Sequence, residues 1–330
     1  LPDYFVDRFV RVENFRELAA GITAKGIEGG GGSIRGPRQS EVKGGNAVNL
    51  AYALATLNMK VNLITIANSL PADMLRGAFR KFPTAKIEII DGNPGFTVAF
   101  EFREKNRQVN VMVSDAGDLK KMDGSELSKQ HWNKIASSKI VGFVNWAAMD
   151  YGTVVAEKVF NFAREKKIKT FFDPADVLEK EKDIADFKTK ILDRGLVDYF
   201  SMNDNEARII SRSIAGYKLP QDYSESDLKK TISVLARYVN DTVDVHTHKV
   251  SMSCSKDGEV TIDYCQKVDQ KTVTGAGDVW DAADLLGFLT GLAPQERLFL
   301  ANAAAGLYVS RESAIPPSSE EILSFVKSLS

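Results

Sequence analysis

The chain has 330 residues, 43 basic and 44 acidic, giving a formal net charge of −1, with 44% hydrophobic and 26% charged side chains. That balance excludes a general nucleic-acid binder, whose affinity needs clustered Lys and Arg facing phosphates, and the ordinary composition excludes disordered and fibrous classes. Two cysteines, Cys254 and Cys265, are too few for a disulfide framework, and no apolar run approaches a membrane span, so a cytoplasmic protein with no membrane partner is expected.

In chain order, the stretch before residue 44 reads as irregular. "EGGGGSIRGPRQSEVK" (28–43) has no helical period, and Gly29 to Gly32 neither follow a clear strand nor open a helix, so a turn is expected there and not a dinucleotide loop. "VKGGNAVNLAYALATLN" (42–58) is different: Gly44 and Gly45 open an Ala-rich helix, and Asn49 can both donate to and accept from a polyhydroxyl ligand. "KVNLITIA" (60–67) reads as a strand and "PADMLRGAFRKF" (71–82) as a helix. In "FTVAFEFREKNRQVNVMVS" (96–114), apolar and polar residues alternate on both sides of an "REKN" turn, a β-hairpin with one apolar face. Strands at 139–146, 168–176 and 197–202 then alternate with helices at 153–167 and 203–214. Alternating strands and helices predict a three-layer α/β/α fold with a mostly parallel central sheet, with ligands at the carboxyl ends of its strands.

Four stretches carry chemistry. In "KTVTGAGDVWDAADLLGFLTGL" (271–292), glycines precede an apolar helix, so its first N–H groups face outward with the positive dipole end behind them. Such a turn can hold a phosphoryl group in transfer, and Asp278 can take a proton from an attacking hydroxyl, although a plain helix cap is an equal reading of "GAGD" alone. "VKGGNAVN" is the second glycine turn. In "SMNDNEARII" (201–210), Asn203 and Glu206 share the first helical turn, as a capping box or as a carboxylate holding water around Mg²⁺. "LANAAAGLYVSRESAIPP" (300–317) reads as a small-residue helix able to press on the glycine turn.

Together and in this order, "GGNAVN", "NDNE" and "TGAGD" resemble the ribokinase (PfkB) family of carbohydrate and nucleoside kinases, over nearly the whole chain and in a divergent, archaeal-type form. The resemblance implies one kinase domain over 1–330, with a β-rich lid formed by about 10–43 and 94–118. It implies transfer of the γ-phosphoryl of ATP, with ADP as a further possible donor, to a ribose-like sugar, with Mg²⁺. Nucleosides and sugar phosphates are the alternative acceptors, and a non-catalytic sugar or nucleotide sensor is the rival. It implies Asp278 as base, with Gly275, Ala276 and Gly277 as the anion hole. It assigns Asp3 (Asp7 second), Gly44, Gly45 and Asn49 to the sugar. Asn203, Glu206, Thr247 and Asn302 go to the nucleotide, with Glu206 reaching Mg²⁺ through water. The one apolar face of the lid hairpin makes a homodimer through the lid a further expectation. The chain departs from the family in "TVTGAGD", where Thr272 and Val273 replace Asp and Thr, and in "DPAD", where Ala175 replaces Asn.

Other residues are ambiguous on sequence alone. His246 and His248 read as two apart on one strand, without partners for a metal set. Asp281 and Asp284 follow Asp278 along one helix face, where ion pairing or solvation is the plain expectation. Trp146 and Asn145 end a strand. Lys43, Arg35, Arg38, Arg103 and Arg107 are either a grip on a substrate phosphate or a solvated face.

Overall fold

The computed structural model describes residues 1–104 and 107–329, so the Lys105–Asn106 part of the expected turn lies outside the described residues. The first half holds β1 (Phe5–Arg11), α1 (Phe15–Thr23), β2 (Arg38–Gly44), α2 (Asn46–Thr56), β3 (Val61–Ala67), α3 (Ser69–Phe79), β4 (Ala85–Asp91), β5 (Gly95–Glu104) and β6 (Arg107–Asp115). Next come α4 (Lys129–Ala136), β7 (Ile140–Val144), α5 (Gly152–Glu165), β8 (Lys169–Asp173), α6 (Ile184–Phe187), β9 (Tyr199–Asn203), α7 (Asp204–Ala215) and α8 (Glu225–Leu235). The chain ends with β10 (Thr242–His246), β11 (Val250–Ser255), β12 (Val260–Tyr264), α9 (Ala276–Thr290), α10 (Pro294–Val309) and α11 (Ser319–Leu329).

The main sheet runs β12-β11-β10-β9-β8-β7, with β7 to β10 parallel and β11 and β12 antiparallel at one edge. At the other edge, the Val144 N–H donates to the Leu1 carbonyl and Thr65 Oγ1 donates to the Pro2 carbonyl. Residues 1–4 thereby join the parallel pair β3–β4 to β7. The parallel strands are apolar on both faces, as burial on both sides requires. Phe172 and Phe200 pack with α5, α7 and α8, whereas their neighbours Phe171 and Tyr199 pack with α2, α9 and α10. The result is a three-layer α/β/α body.

A second sheet, β2-β1-β5-β6, stands apart from this body. Its β1–β5 pair is parallel and its β5–β6 pair is the expected hairpin. The stretch before residue 44 is thus more regular than expected: it supplies two strands and a helix. In α1, Asn14 accepts from the N–H groups of Arg16 and Glu17, a cap whose Asn-x-x-Glu spacing was readable. Phe15 of α1 stacks on Phe102 of β5 with ring centroids 4.6 Å apart, covering part of the hairpin's apolar face. Two further expectations are corrected. The helix at 300–317 begins earlier and ends at Val309, ahead of Pro316 and Pro317. His246 and His248 do not share a strand, because β10 stops at His246 and Thr247 closes the turn into β11 by accepting from Val250 N–H.

Candidate active site

The site forms where the carboxyl ends of β8 and β9 meet the amino ends of α2 and α9. Gly275 adopts a left-handed φ of +84° as the cap of α9, and a Cβ there would lie 3.0 Å from the Tyr308 hydroxyl. Only glycine turns the chain here without strain, and the turn presents the first N–H groups of α9 to the cleft. Tyr308 of α10 donates to the Thr274 carbonyl at 2.8 Å, so α10 buttresses the turn from behind. At Gly277, a Cβ would come within 3.2 Å of the His246 ring, which packs against Trp280 with centroids 5.0 Å apart. Burial pushes His246 down to about 4, so the ring is neutral at pH 7.

Asp278 is buried in the first turn of α9, held by two amides from the start of α2. Asn46 donates to its Oδ1 and Asn49 to its Oδ2, each at 3.1 Å. Its carboxyl sits well above the usual range, because of burial first and the neighbouring Asp173 second. Lys43 of β2 donates to Asn49 Oδ1 at 3.3 Å, and its ammonium lies 4.1 Å from the centre of the Tyr52 ring. Burial pushes this lysine down to about 8, against the pull of Asp278 and Asp7. Of the basic residues flagged near the small sheet, Arg35, Arg38 and Arg103 are exposed, whereas Lys43 turns inward.

Asp3 is completely buried. Its Oδ1 accepts from Ala47 N–H at 2.7 Å, and its Oδ2 accepts from Asn46 N–H at 2.7 Å and Asn145 Nδ2 at 2.8 Å. The carboxylate therefore caps α2 across the Gly44–Gly45 turn. Gly45 has φ +92°, and a Cβ on it would fall 2.8 Å from Asp3 Oδ2. Asp7 stands beside Gly44, with its carboxyl raised to about 6 chiefly by burial. Asn145 sits in the left-handed region at φ +57°, a strained conformation that aims its amide at Asp3.

At the ends of β8 and β9 lie three more buried carboxyls. Asn203 and Glu206 make a complete capping box: Glu206 Oε2 accepts from Asn203 N–H at 2.8 Å and Oε1 from Asn203 Nδ2 at 2.6 Å. Glu206 is raised well above its usual range by burial and then by Asp173, and Asp173 itself is raised to about 6 by burial. Asp281 accepts from the Ser201 hydroxyl, so the plain expectation of a solvated residue is corrected. Asp284 pairs instead with the buried Arg297 of α10, which also grips Asp244.

Two residues assigned to the nucleotide have their polar groups engaged by protein. Asn302 is buried; its Oδ1 accepts from Trp280 Nε1 and from the Ser251 hydroxyl, and its Nδ2 donates to Asp263. Thr247 holds the β10–β11 turn. Sequence reasoning passed over Asn46 as a partner of Asp278, although it follows the glycine pair directly. It also passed over Asn110 of β6. The Asn110 Nδ2 donates to Thr274 Oγ1 at 3.3 Å, and its Oδ1 is buried without a hydrogen-bond partner.

Asp173 and Glu206 suit a divalent cation. They are buried, each is raised, Asp173 acts on Glu206, and no ion pair among the described residues reaches either. Among the described residues no three His, Cys, Asp or Glu side chains form a direct metal cage. Mg²⁺ prefers few protein ligands and several waters, so an outer carboxylate pair of this kind fits it.

A glycine turn at a helix start, a buried carboxyl facing it and further carboxyls at the strand ends form the candidate site of a ribokinase-like α/β/α fold. The solved structures agree on the fold. A ribokinase from Thermotoga maritima superposes with a TM-score of 0.74 at 21% identity, covering 98% of this chain and 97% of that one. An adenosine kinase from Sinorhizobium meliloti gives 0.74 at 17% identity, with 99% and 97% covered. The family model of prokaryotic ketohexokinase matches residues 6–329, and the chain belongs to that family, within the ribokinase-like carbohydrate kinases. It is 24% identical over 246 residues to a ketohexokinase of Haloferax volcanii, a match covering 71% of this chain and 62% of that relative's length. It is 22% identical over 307 residues to a 5-dehydro-2-deoxygluconokinase of Bacillus subtilis, covering 88% of each. No helix among the described residues is long and apolar enough to cross a membrane.

Proposed function

We propose that the protein transfers the γ-phosphoryl of ATP to a hydroxyl of a ketohexose. The observation that carries the reading is Asp278, presented by Asn46 and Asn49 at the start of α9 beside the Gly275 turn. The acceptor hydroxyl gives its proton to an Asp278 oxygen as its own oxygen bonds to the γ-phosphorus. The bond from that phosphorus to the bridging oxygen breaks, and ADP leaves. The N–H groups of Gly275, Ala276 and Gly277 face the transferring oxygens, where preorganised donors stabilise developing charge. Asp3, Gly44, Gly45 and Asn49 shape the sugar side; Asn203, Glu206 and Thr247 line the nucleotide side. Asn302 acts from behind, by holding Trp280. Glu206 and Asp173 would hold Mg²⁺ through water, and the ion would supply charge neutralisation on the phosphates.

Ketohexose takes the place of the ribose-like acceptor expected from sequence because of the family match and the Haloferax relative. The small sheet is proposed as the lid, covering 10–43 and 94–118, and the ATP supply of the cytoplasm suits the reading. Phe96 and Val113 of its outer face are 50% and 62% exposed, and we assign the dimer contact to this face. Val113→Glu is expected to halve the mass found by light scattering; an unchanged mass removes the dimer.

The test is a coupled assay with ATP and with ADP as donors, and with fructose, other hexoses, pentoses, their monophosphates and nucleosides as acceptors. Asp278→Asn is expected to lower kcat by about 10²–10⁴, the usual worth of a general base, with little change in acceptor KM. Nucleotide binding without turnover on any acceptor would instead identify a sensor.

A further inference from the structure

Among the described residues, Asn110 of the small sheet hydrogen-bonds the glycine turn: its Nδ2 donates to Thr274, the residue before Gly275. Its other end, Oδ1, is buried and has no hydrogen-bond partner. A buried polar atom without a partner is costly, so such an atom beside the glycine turn asks what completes it. Ser114, two registers along the same strand and on the same face, already bonds Thr97 Oγ1 at 3.0 Å. Asn110 is thus left with an unused acceptor beside the glycine turn. An amide oxygen only accepts, as do the oxygens of ionised phosphates, so its partner is a donor, and on a sugar the donors are hydroxyls.

We propose that Asn110 is a specificity-determining residue for the sugar. Its Oδ1 accepts from a hydroxyl of the acceptor other than the one Asp278 deprotonates, while its Nδ2 fixes the small sheet against the anion-binding turn. The proposal rests on the kinase reading above and adds the residue that selects a polyol.

The test compares wild type, Asn110→Ala and Asn110→Leu, with D-fructose and ATP, and then with fructose analogues lacking one hydroxyl each. The fructose KM is expected to rise roughly five- to tenfold in both variants, the size of one neutral hydrogen bond, with ATP KM unchanged. One deoxy analogue should lose the same factor in wild type and nothing further in the variants. A merely structural Asn110 would lower kcat with both KM values unchanged, and a nucleotide contact would raise the ATP KM; either result overturns the proposal. Additive losses for every deoxy analogue overturn it too. If wild type phosphorylates no acceptor, the kinase reading fails on its own, and calorimetric titration of the same sugars decides on Asn110. There, weaker binding by both variants supports its role, and equal heats, including none, overturn it.

Discussion

At the scale of single residues, the site is governed by carboxyls that share too little space. Asp278 is raised by burial and by Asp173, with Asp3 adding to the effect and the amides of Asn49 and Asn46 opposing it. A carboxyl raised in this way accepts a proton more readily near neutral pH than a solvated aspartate does, which suits the proposed general base. Removing the negative charge of Asp173 removes one of the causes of the rise. Asp173→Asn is therefore expected to shift the acidic limb of the kcat/KM profile to lower pH, and a limb that stays in place would show that burial alone sets the base. Asp7 follows the same logic. Its folded carboxyl, raised to about 6 chiefly by burial, binds a proton more tightly than in the unfolded chain. The stability it contributes is present below about pH 4 and is lost as pH rises through 6.

At the scale of elements, α9 does two jobs on one buried face. Asp278 and Asp281 face the cleft end, and Asp284, further along, meets Arg297 of α10 at 2.6 Å. Arg297 also donates to Asp244 of β10, Tyr199 of β9 and Ser253 of β11, so one guanidinium ties two helices to three strands. Breaking such a pair leaves charges buried without a partner. Arg297→Met is expected to cost about 3–5 kcal/mol in denaturant unfolding, with fructose KM unchanged in protein that remains folded. A loss below about 1 kcal/mol would mean that Asp244 and Asp284 reach water or a shared proton. This network was invisible in sequence because the period of α9 marks three aspartates on one face without saying what faces them. The glycine turns and the Asn203–Glu206 box were legible, since each is a local pattern with a local cause. So were β7 to β9, as apolar runs between helices. Strand β1, "FVDRFVR", was not: its charged and apolar residues follow no two-residue alternation. Asn110 was equally hidden, as one polar position in an alternating hairpin whose importance comes from Thr274, 164 residues away.

At the scale of the whole molecule, the body and the small sheet are joined through a few short crossings at one end. β1 continues from the buried segment at Asp3, and β2 runs through Gly44 and Gly45 into α2. β5 enters from β4 after Gly92 and Pro94, and β6 leaves through Gly117, whose φ is +59°. The Gly44–Gly45 connection lies next to Asp3 and Asp7, and Gly117 packs against the Asn93 and Pro94 carbonyls of the β4–β5 connection. The four strands are laddered to one another along their lengths, with registers running from Phe5 to Arg11 and from Phe96 to Glu104. A sheet laddered in this way resists strand-by-strand shear, so a rotation at the crossings would be shared by all four strands. A small rotation at the glycine crossings becomes a large sweep at the far edge, whereas Asn110, halfway out on β6, travels with the sheet. The Gly44–Gly45 crossing leads directly into Asn46 and Asn49, which hold Asp278, so the placement of the small sheet and the orientation of that carboxyl depend on the same few peptide bonds.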